Sequence, residues 1–299
     1  MRMHADQHDI DLDTARRLIV GQFPQWARLP VRQVMGAGTV NAMFRVGEEF
    51  SARFPLQGAD SSSTLAALQA EGAGLRELAA YIPFATPQQV ALGAPGYGYP
   101  LPWSVQTWVP GEVATPTGLA ASLELAEDVA ELISALRAQP TGGRSFSGNG
   151  RGGHLSDHVA WVEHCLAQSE GLLDTAPLRA LWAELVELPR PGVDVMSHSD
   201  LTPFNLLVRG GRLVGVLDPG LGPADPALDL VAAWHLFDAP VREVLRERLG
   251  SSDVEWARGA AWALQQALGL VWYYQDTNPP MAALGRSTLA RLLEATELR

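Results

Sequence analysis

Three polar residues in the second half of the sequence have the types and the spacing that phosphoryl transfer requires. Asp200 and Asn205 lie five positions apart in the segment HSDLTPFNLLV, and Asp218 belongs to the later segment LDPG. This chemistry needs a carboxylate that orients and deprotonates an acceptor hydroxyl, together with oxygen ligands for Mg²⁺ on the phosphates. We predict that Asp200 is the base and that Asn205 and Asp218 bind the metal.

A short β-hairpin is predicted to bring these side chains together. Two apolar runs, at 205–208 and 213–217, flank a Gly-Gly turn. The loop before the hairpin carries Asp200 and Asn205, and Asp218 follows its second strand. Each residue alone would more commonly be a cap or a turn residue, so the prediction depends on the order and spacing of all three.

The first third of the sequence predicts a small antiparallel sheet with one prominent helix. A short helix is expected at 13–21, and a longer one begins at Ser62 or Ser63 and ends near residue 80. Residues 83–102 are rich in Pro and Gly and predict loops between strands. The strands are predicted at 31–35, 43–46, 50–54 and 103–109.

From residue 119 onward the pattern is mainly helical. Helices are predicted at 119–138, in further segments up to residue 188, and from residue 226 to the end. Residues 141–153 form a loose Gly/Ser/Asn stretch, and a Pro-Gly turn at 110–111 separates the two halves. The predicted fold class is α+β and bilobal, with a small antiparallel-sheet N-lobe at 1–109 and a mostly helical C-lobe at 110–299.

Composition and charge limit the classes of partner. The 299 residues suffice for two modest domains, and 22 Lys plus Arg against 33 Asp plus Glu give a net charge of −11. Nucleic acid and anionic membranes are therefore not expected partners. A single cysteine, Cys165, and a polar, acidic start predict a cytoplasmic protein without an export signal. The apolar segment 259–274 is too short and too polar to span a bilayer and predicts a buried helix.

The order of these motifs matches a kinase signature, in which a catalytic-loop Asp precedes an Asn by five residues and a metal-binding Asp precedes Gly. The chain resembles the aminoglycoside and macrolide phosphotransferase family, which shares the protein-kinase-like fold. The family loop reads H-G-D-x-x-x-x-N, followed by D-[FWY]-[GED] and often by G-D-P-A-x-D-L, which residues 224–230 match. GAGTVNAMFRVGEEFSARFP resembles the nucleotide loop and third strand, and WSVQTWVPGE resembles the hinge, so the resemblance covers roughly 31–229.

The resemblance implies an Mg²⁺-dependent kinase that uses ATP or GTP. The acceptor would be a hydroxyl of a small molecule, such as an aminoglycoside, a macrolide or a related metabolite. It implies that Arg53 pairs with phosphate, where kinases carry Lys, and that Glu71 orients Arg53 through an ion pair. Arg45 and Glu77 are the rival residues for these two roles.

The resemblance also assigns residues to the nucleotide and to the acceptor. Gly38, Thr39 and Asn41 would cover the phosphates, and backbone groups near Thr107 and Val109 would bind the purine. The acceptor would meet three further residues, namely Asp157, Trp161 and Asp276. A capping role for Asp157 and a core position for Trp161 are the structural alternatives.

Two departures from the family pattern leave alternatives open. Ser199 replaces the usual Gly, a change we expect to be tolerated. Pro219 replaces an aromatic residue and is expected to hold Asp218 in an extended conformation. Together with Arg53, Pro219 motivates a second hypothesis, a nucleotide-binding pseudokinase without turnover.

Two metal-based readings remain in the sequence. His154 and His158 lie four residues apart and could share a helix face as zinc ligands, but a third ligand is needed. A metal-dependent hydrolase would use His198, Asp200, Asp218 and His235. The sequence does not decide the acceptor, the purine, a role in resistance or the oligomeric state.

Overall fold

The computed structural model describes residues 7–34, 40–148, 151–190 and 192–298. The chain divides into two compact units that are not continuous in sequence. Unit 1 contains Met1–Ala80, Ala85–Pro110 and Gly215–Pro219, and unit 2 contains Tyr81–Phe84, Gly111–Val214 and Gly220–Arg299. The predicted roles of 1–109 and 110–299 as nucleotide and catalytic lobes stay predictions.

The described residues form nine α-helices and ten β-strands. The helices α1 to α9 are Leu12–Gln22, Ser61–Tyr81, Leu123–Arg137, Val159–Gln168, Thr175–Leu185, Val231–Leu236, Ala239–Leu249, Asp253–Tyr274 and Pro279–Glu294. The strands β1 to β10 are Val31–Val34, Asn41–Val46, Phe50–Pro55, Gln89–Gly93, Trp103–Thr107, Glu112–Val113, Val195–Ser197, Leu206–Arg209, Arg212–Val216 and Gly222–Ala224. An α+β fold, with an antiparallel sheet in the N-terminal part and helices in the C-terminal part, is thereby confirmed.

Unit 1 is built on a five-stranded antiparallel sheet with the strand order β1-β2-β3-β5-β4. One face of this sheet packs on α1 through Leu18 and Ile19, and the rings of Phe54 and Trp103 stack there at 4.7 Å between centroids. Successive side chains of a strand point to opposite faces. Because Phe54 points into this core, the preceding Arg53 projects from the other face of the sheet.

Unit 2 is mainly helical, and its centre is α8. The predicted buried helix at 259–274 is confirmed as part of α8, where a continuous row of side chains from Gly259 to Gln265 is buried. Asp225 is buried beside α8 and accepts hydrogen bonds from Nε of Arg258 at 3.1 Å and Nε1 of Trp262 at 3.3 Å. No helix among the described residues is long and apolar enough to cross a membrane.

The predicted hairpin is present as β8 and β9, which are neighbours in a three-stranded sheet with β6. The prediction of loops throughout 83–102 is wrong at β4, which pairs with β5. β4 lies among turn-forming residues, so the local sequence does not predict a strand. It is a strand because it pairs with β5. The strand predicted at 103–109 ends at Thr107, because the N–H of Trp108 turns to the carbonyl of Glu49 at 2.6 Å.

Candidate active site

The residues just before Asp200 donate hydrogen bonds to one buried carboxylate, that of Asp229. Its Oδ1 accepts hydrogen bonds from Ser197 Oγ at 2.8 Å and from the N–H of Ser199 at 2.9 Å. Its Oδ2 accepts from the N–H of His198 at 2.9 Å. Asp229 is 2% exposed, so these bonds to an ionised group form away from solvent and strongly fix the loop.

The main chain of Asp200 organises the rest of the loop. Its carbonyl oxygen accepts from the N–H of Thr202 at 2.8 Å and from Nδ2 of Asn205 at 2.9 Å. The Asn205 amide is therefore oriented with its nitrogen toward Asp200, which leaves Oδ1 as the atom available to a cation. The carboxylate of Asp200 lies beside Arg151, with 2.7 Å between Oδ1 and Nη1.

Ser199 occupies a backbone conformation that favours glycine. Its φ is 64°, in the left-handed region, and its Oγ donates a hydrogen bond to the carbonyl of Gly220 at 3.0 Å. A Cβ on Gly220 would stand 2.4 Å from the carbonyl oxygen of His198, so only glycine fits there. The family Gly at the Ser199 position thus has a conformational reason, and here a side-chain hydrogen bond offsets part of the strain.

The expectation that Pro219 would hold Asp218 extended is wrong. Asp218 has a φ of 58°, and it is one of three non-glycine residues with positive φ among the described positions. Asp218 is exposed and lies in unit 1, whereas Asp200 and Asn205 lie in unit 2. A non-glycine residue with this backbone conformation is uncommon, although aspartate adopts it more readily than most residues.

Arg53 and Glu71 form the predicted ion pair, and a third residue closes it into a network. Nη1 of Arg53 lies 3.2 Å from Oε1 of Glu71 and donates to Oε1 of Gln106 at 3.1 Å. Gln106 in turn donates through Nε2 to Oε1 of Glu71 at 3.0 Å. The rival Arg45 instead pairs with the exposed Glu48 and lies over the ring of Trp108.

The chain contains no lysine, so all 22 residues in its Lys plus Arg count are arginines. Arg53 at the position of the kinase Lys is therefore one case of a chain-wide preference. The guanidinium is planar and permanently charged, and both properties suit contact with phosphate.

Replacing Arg53 by methionine should lower kcat/KM for the nucleotide by about 10- to 100-fold, because the cation that we expect to contact the phosphates is lost. Arg45→Met is the matched control, since it removes an arginine from the neighbouring strand, and it should stay within about twofold of wild type. Initial rates at varied nucleotide concentration provide the measurement, with thermal melting to verify folding. A loss in Arg45→Met without one in Arg53→Met would transfer the role to Arg45.

The resemblance assigns further residues to the nucleotide, and the structure describes some of them. Gly38 and Thr39 lie outside the described residues, and Asn41 is the first residue of β2, paired with Pro55. The N–H of Thr107 donates to the carbonyl of Gln88 at 2.9 Å. A purine contact at Thr107 would therefore use its carbonyl oxygen, not its amide.

The three acceptor candidates lie on unit 2 and are all exposed. Asp157 has the predicted alternative role, since its Oδ2 accepts from the N–H of His154 at 3.2 Å as a cap. It also lines a cavity of about 570 Å³ with Arg190 and Asp194. Trp161 is not a core residue, because it is 42% exposed and stacks on His164. Asp276 lies in the turn after α8.

The positions of the described residues do not support the zinc-site and hydrolase hypotheses. Among the described residues, no group of three or more His, Cys, Asp or Glu side chains is placed to hold a metal. His158 uses Nε2 to contact the carbonyl of Gly152 at 2.8 Å, and its Nδ1 faces Gln265 at 3.3 Å. His235 is fully buried, with Nδ1 at 2.9 Å from Oγ1 of Thr288.

Burial lowers the pKa of His235 from 6.5 to about 4, which keeps the ring neutral at physiological pH. In the unfolded chain the His235 ring is protonated below about pH 6.5, whereas in the folded chain it stays neutral down to about pH 4. The free energy of unfolding therefore falls as the pH drops from 6.5 toward 4. This loss amounts to at most roughly 3 kcal/mol and levels off below pH 4. We expect the difference in unfolding free energy between wild type and His235→Gln to narrow over this range in urea titrations. A pH-independent difference would contradict the neutral buried ring.

Four residues of this arrangement were not assigned from the sequence. Asp229 lies in the quoted motif at 224–230, which was the available signal for it. Gly220 follows Asp218-Pro219, and nothing in the local sequence indicates that its backbone lies close to the carbonyl of His198. Gln106 and Arg151 lack any local signal, since one is an uncharged strand residue and the other lies in a glycine-rich loop.

Comparison with known proteins places this arrangement in a family. The sequence matches the phosphotransferase enzyme family over residues 32–262. No functionally curated protein matches the chain at a significant level. Among solved structures, the GDP complex of wild-type aminoglycoside 2′-phosphotransferase-IIIa is similar, with a TM-score of 0.71 and 19% identity over 95% of this chain and 99% of that chain.

Two further structures share the fold. Macrolide 2′-phosphotransferase MphH from Brachybacterium faecium has a TM-score of 0.59 and 18% identity, covering 91% of this chain and 97% of that chain. ADP-bound aminoglycoside phosphotransferase APH(2″)-Ib has a TM-score of 0.58 and 14% identity, covering 93% and 98%. At these identities the likeness shows the protein-kinase-like fold. By its sequence match over most of its length, the chain belongs to the phosphotransferase enzyme family.

Proposed function

We propose that the protein is an ATP- or GTP-dependent O-phosphotransferase that acts on a hydroxyl of a small molecule. The acceptor class is an aminoglycoside, a macrolide or a related metabolite, in line with the similar structures. The observation that carries the proposal is the Asp200 loop, which Asp229 fixes through three hydrogen bonds while the Asp200 carboxylate stays partly exposed. A carboxylate fixed in this way is suited to accept a proton from a hydroxyl.

In the proposed reaction the acceptor oxygen forms a bond to the γ-phosphorus, and its proton passes to the carboxylate of Asp200. The bond from that phosphorus to the β,γ-bridging oxygen breaks, and the electron pair leaves with the nucleoside diphosphate. The transition state carries its charge on the phosphoryl oxygens, so positioning and charge stabilisation supply most of the catalysis.

The side chains of Asn205 and Asp218 fit Mg²⁺, because amide and carboxylate oxygens are the ligands it prefers. Asn205 has its nitrogen committed to Asp200, which directs its oxygen elsewhere, and Asp218 is exposed. Each of these side chains would offer an oxygen ligand to Mg²⁺, and the metal would supply neutralisation of the phosphate charge during transfer.

The remaining assignments belong to the same proposal. Arg53, held by Glu71 and Gln106, contacts the phosphates. The segment with Gly38, Thr39 and Asn41 covers them, and the carbonyl of Thr107 with the backbone of Val109 binds the purine. The exposed residues Asp157, Trp161 and Asp276 are the proposed acceptor contacts. A cytoplasmic location stays a prediction.

A phosphorylation screen tests the function. Purified protein with MgATP or MgGTP is incubated with aminoglycosides, macrolides and simple amino alcohols, and phosphorylated product is detected by mass spectrometry. Product that requires one acceptor class and disappears in Asp200→Ala supports the proposal. Tight binding of nucleotide without any product would instead identify a pseudokinase.

A further inference from the structure

The proposed base is paired with a cation that its own loop does not supply. Nη1 of Arg151 lies 2.7 Å from Oδ1 of Asp200, while the segment from His198 to Asn205 contains no basic residue other than histidine. The contact has the distance of an ion pair without the alignment of a hydrogen bond, since that oxygen has no aligned donor among the described residues. The side chain of Arg151 is 41% exposed.

The backbone beside Arg151 is fixed by contacts that only glycine allows. Gly152 and Gly153 have φ values of 134° and 79°, and a Cβ on Gly152 would stand 2.7 Å from the ring of Phe146. The carbonyl of Gly152 also accepts from Nε2 of His158 at 2.8 Å. The stretch at 151–153, within a region predicted to be loose, is therefore tied to its surroundings directly after Arg151.

We propose that Arg151 is a further catalytic residue, whose guanidinium contacts both Asp200 and the phosphoryl group during transfer. The inference rests on the proposed function. In that reaction the anionic Asp200 must approach a multiply charged phosphoryl group through a single acceptor oxygen, and the two charges repel each other. A cation beside Asp200 offsets this repulsion at the point where the negative charge accumulates.

The chemistry of arginine fits this position. The side chain has five N–H donors in a planar fork, so it can contact a carboxylate with one nitrogen and phosphoryl oxygens with another. Arg151 keeps its proton throughout, and the acceptor proton still passes to Asp200. In a chain without lysine, a guanidinium is the only side chain with a permanent positive charge for this role.

Kinetics of Arg151→Gln and Arg151→Lys test the proposal, with the acceptor identified in the screen. Arg151→Gln should lower kcat on the order of 100-fold with little change in KM for the nucleotide. Arg151→Lys should recover part of that loss because the charge returns without the fork. Arg179→Gln is the matched control, since it removes an exposed arginine that pairs with Glu163 in the same unit, and it should behave as wild type.

Chemical rescue separates a catalytic role from a structural one. Guanidinium added to Arg151→Ala, below denaturing concentration, should raise kcat at least severalfold and leave wild type unchanged. Wild-type turnover in Arg151→Gln, or no response of Arg151→Ala to guanidinium, would overturn the assignment while the proposed function stands. A wild-type protein that phosphorylates no acceptor would overturn both.

Discussion

Replacing Asp200 by asparagine should lower kcat by about 10³-fold and leave the fold intact, because a carboxamide cannot take the acceptor proton. The loop contacts of this residue come from its main chain, where the carbonyl accepts from Thr202 and Asn205. Asparagine keeps that main chain and has nearly the same shape. The variant therefore removes the proposed base without removing the loop that holds it.

The measurement is the rate of product formation at saturating nucleotide and acceptor, with nucleotide affinity determined separately. Asp253→Asn is the matched control, since Asp253 is an exposed carboxylate of the same unit that pairs with Arg246. We expect wild-type turnover in that control and unchanged nucleotide affinity in both variants. Transfer at the wild-type rate in Asp200→Asn would show that another group is the base.

The parts of the site that were predictable are those with short-range signals. Asp200 and Asn205 lie on one loop, and an apolar pattern with a Gly-Gly turn predicts the hairpin that follows. The local sequence is therefore enough to predict this part of the site. The pairing of Arg53 with Glu71 followed from a known family pattern. The position of β4 was missed because a five-residue strand among turn residues is determined by its pairing with β5.

Other parts depend on contacts across long stretches of sequence. Gln106 joins the Arg53 network from 53 residues away, and an uncharged side chain on a strand gives no reason to expect it. Arg151 reaches Asp200 from a glycine-rich stretch in which Gly152 packs closely against the Phe146 ring. The φ of Asp218 opposes the local preference that the following proline imposes, so only the folded structure reveals it.

Asp229→Ala should cost roughly 3 kcal/mol or more of stability and reduce kcat of the folded protein at least about tenfold. The substitution removes three charge-assisted hydrogen bonds and deprives the N–H of His198 of its Asp229 acceptor, whereas the N–H of Ser199 keeps Ser197 Oγ as a second acceptor at 2.9 Å. The Asp200 loop then loses its fixed position, and small displacements of a reacting group are costly in rate.

Asp225→Ala is the control that separates lost stability from lost positioning. Asp225 lies four residues earlier in the same motif, is equally buried, and holds Arg258 and Trp262 of α8 instead of the Asp200 loop. Removing one partner of a buried ion pair should destabilise the protein by a similar amount, about 3–5 kcal/mol. Both variants are compared at a temperature where circular dichroism shows them folded, and kcat is referred to the folded fraction. Of these two carboxylates, Asp229 bonds to the Asp200 loop and Asp225 does not, so kcat should fall in Asp229→Ala and stay at the wild-type value in Asp225→Ala. Equal losses of kcat in both variants would show that Asp229 only stabilises the fold.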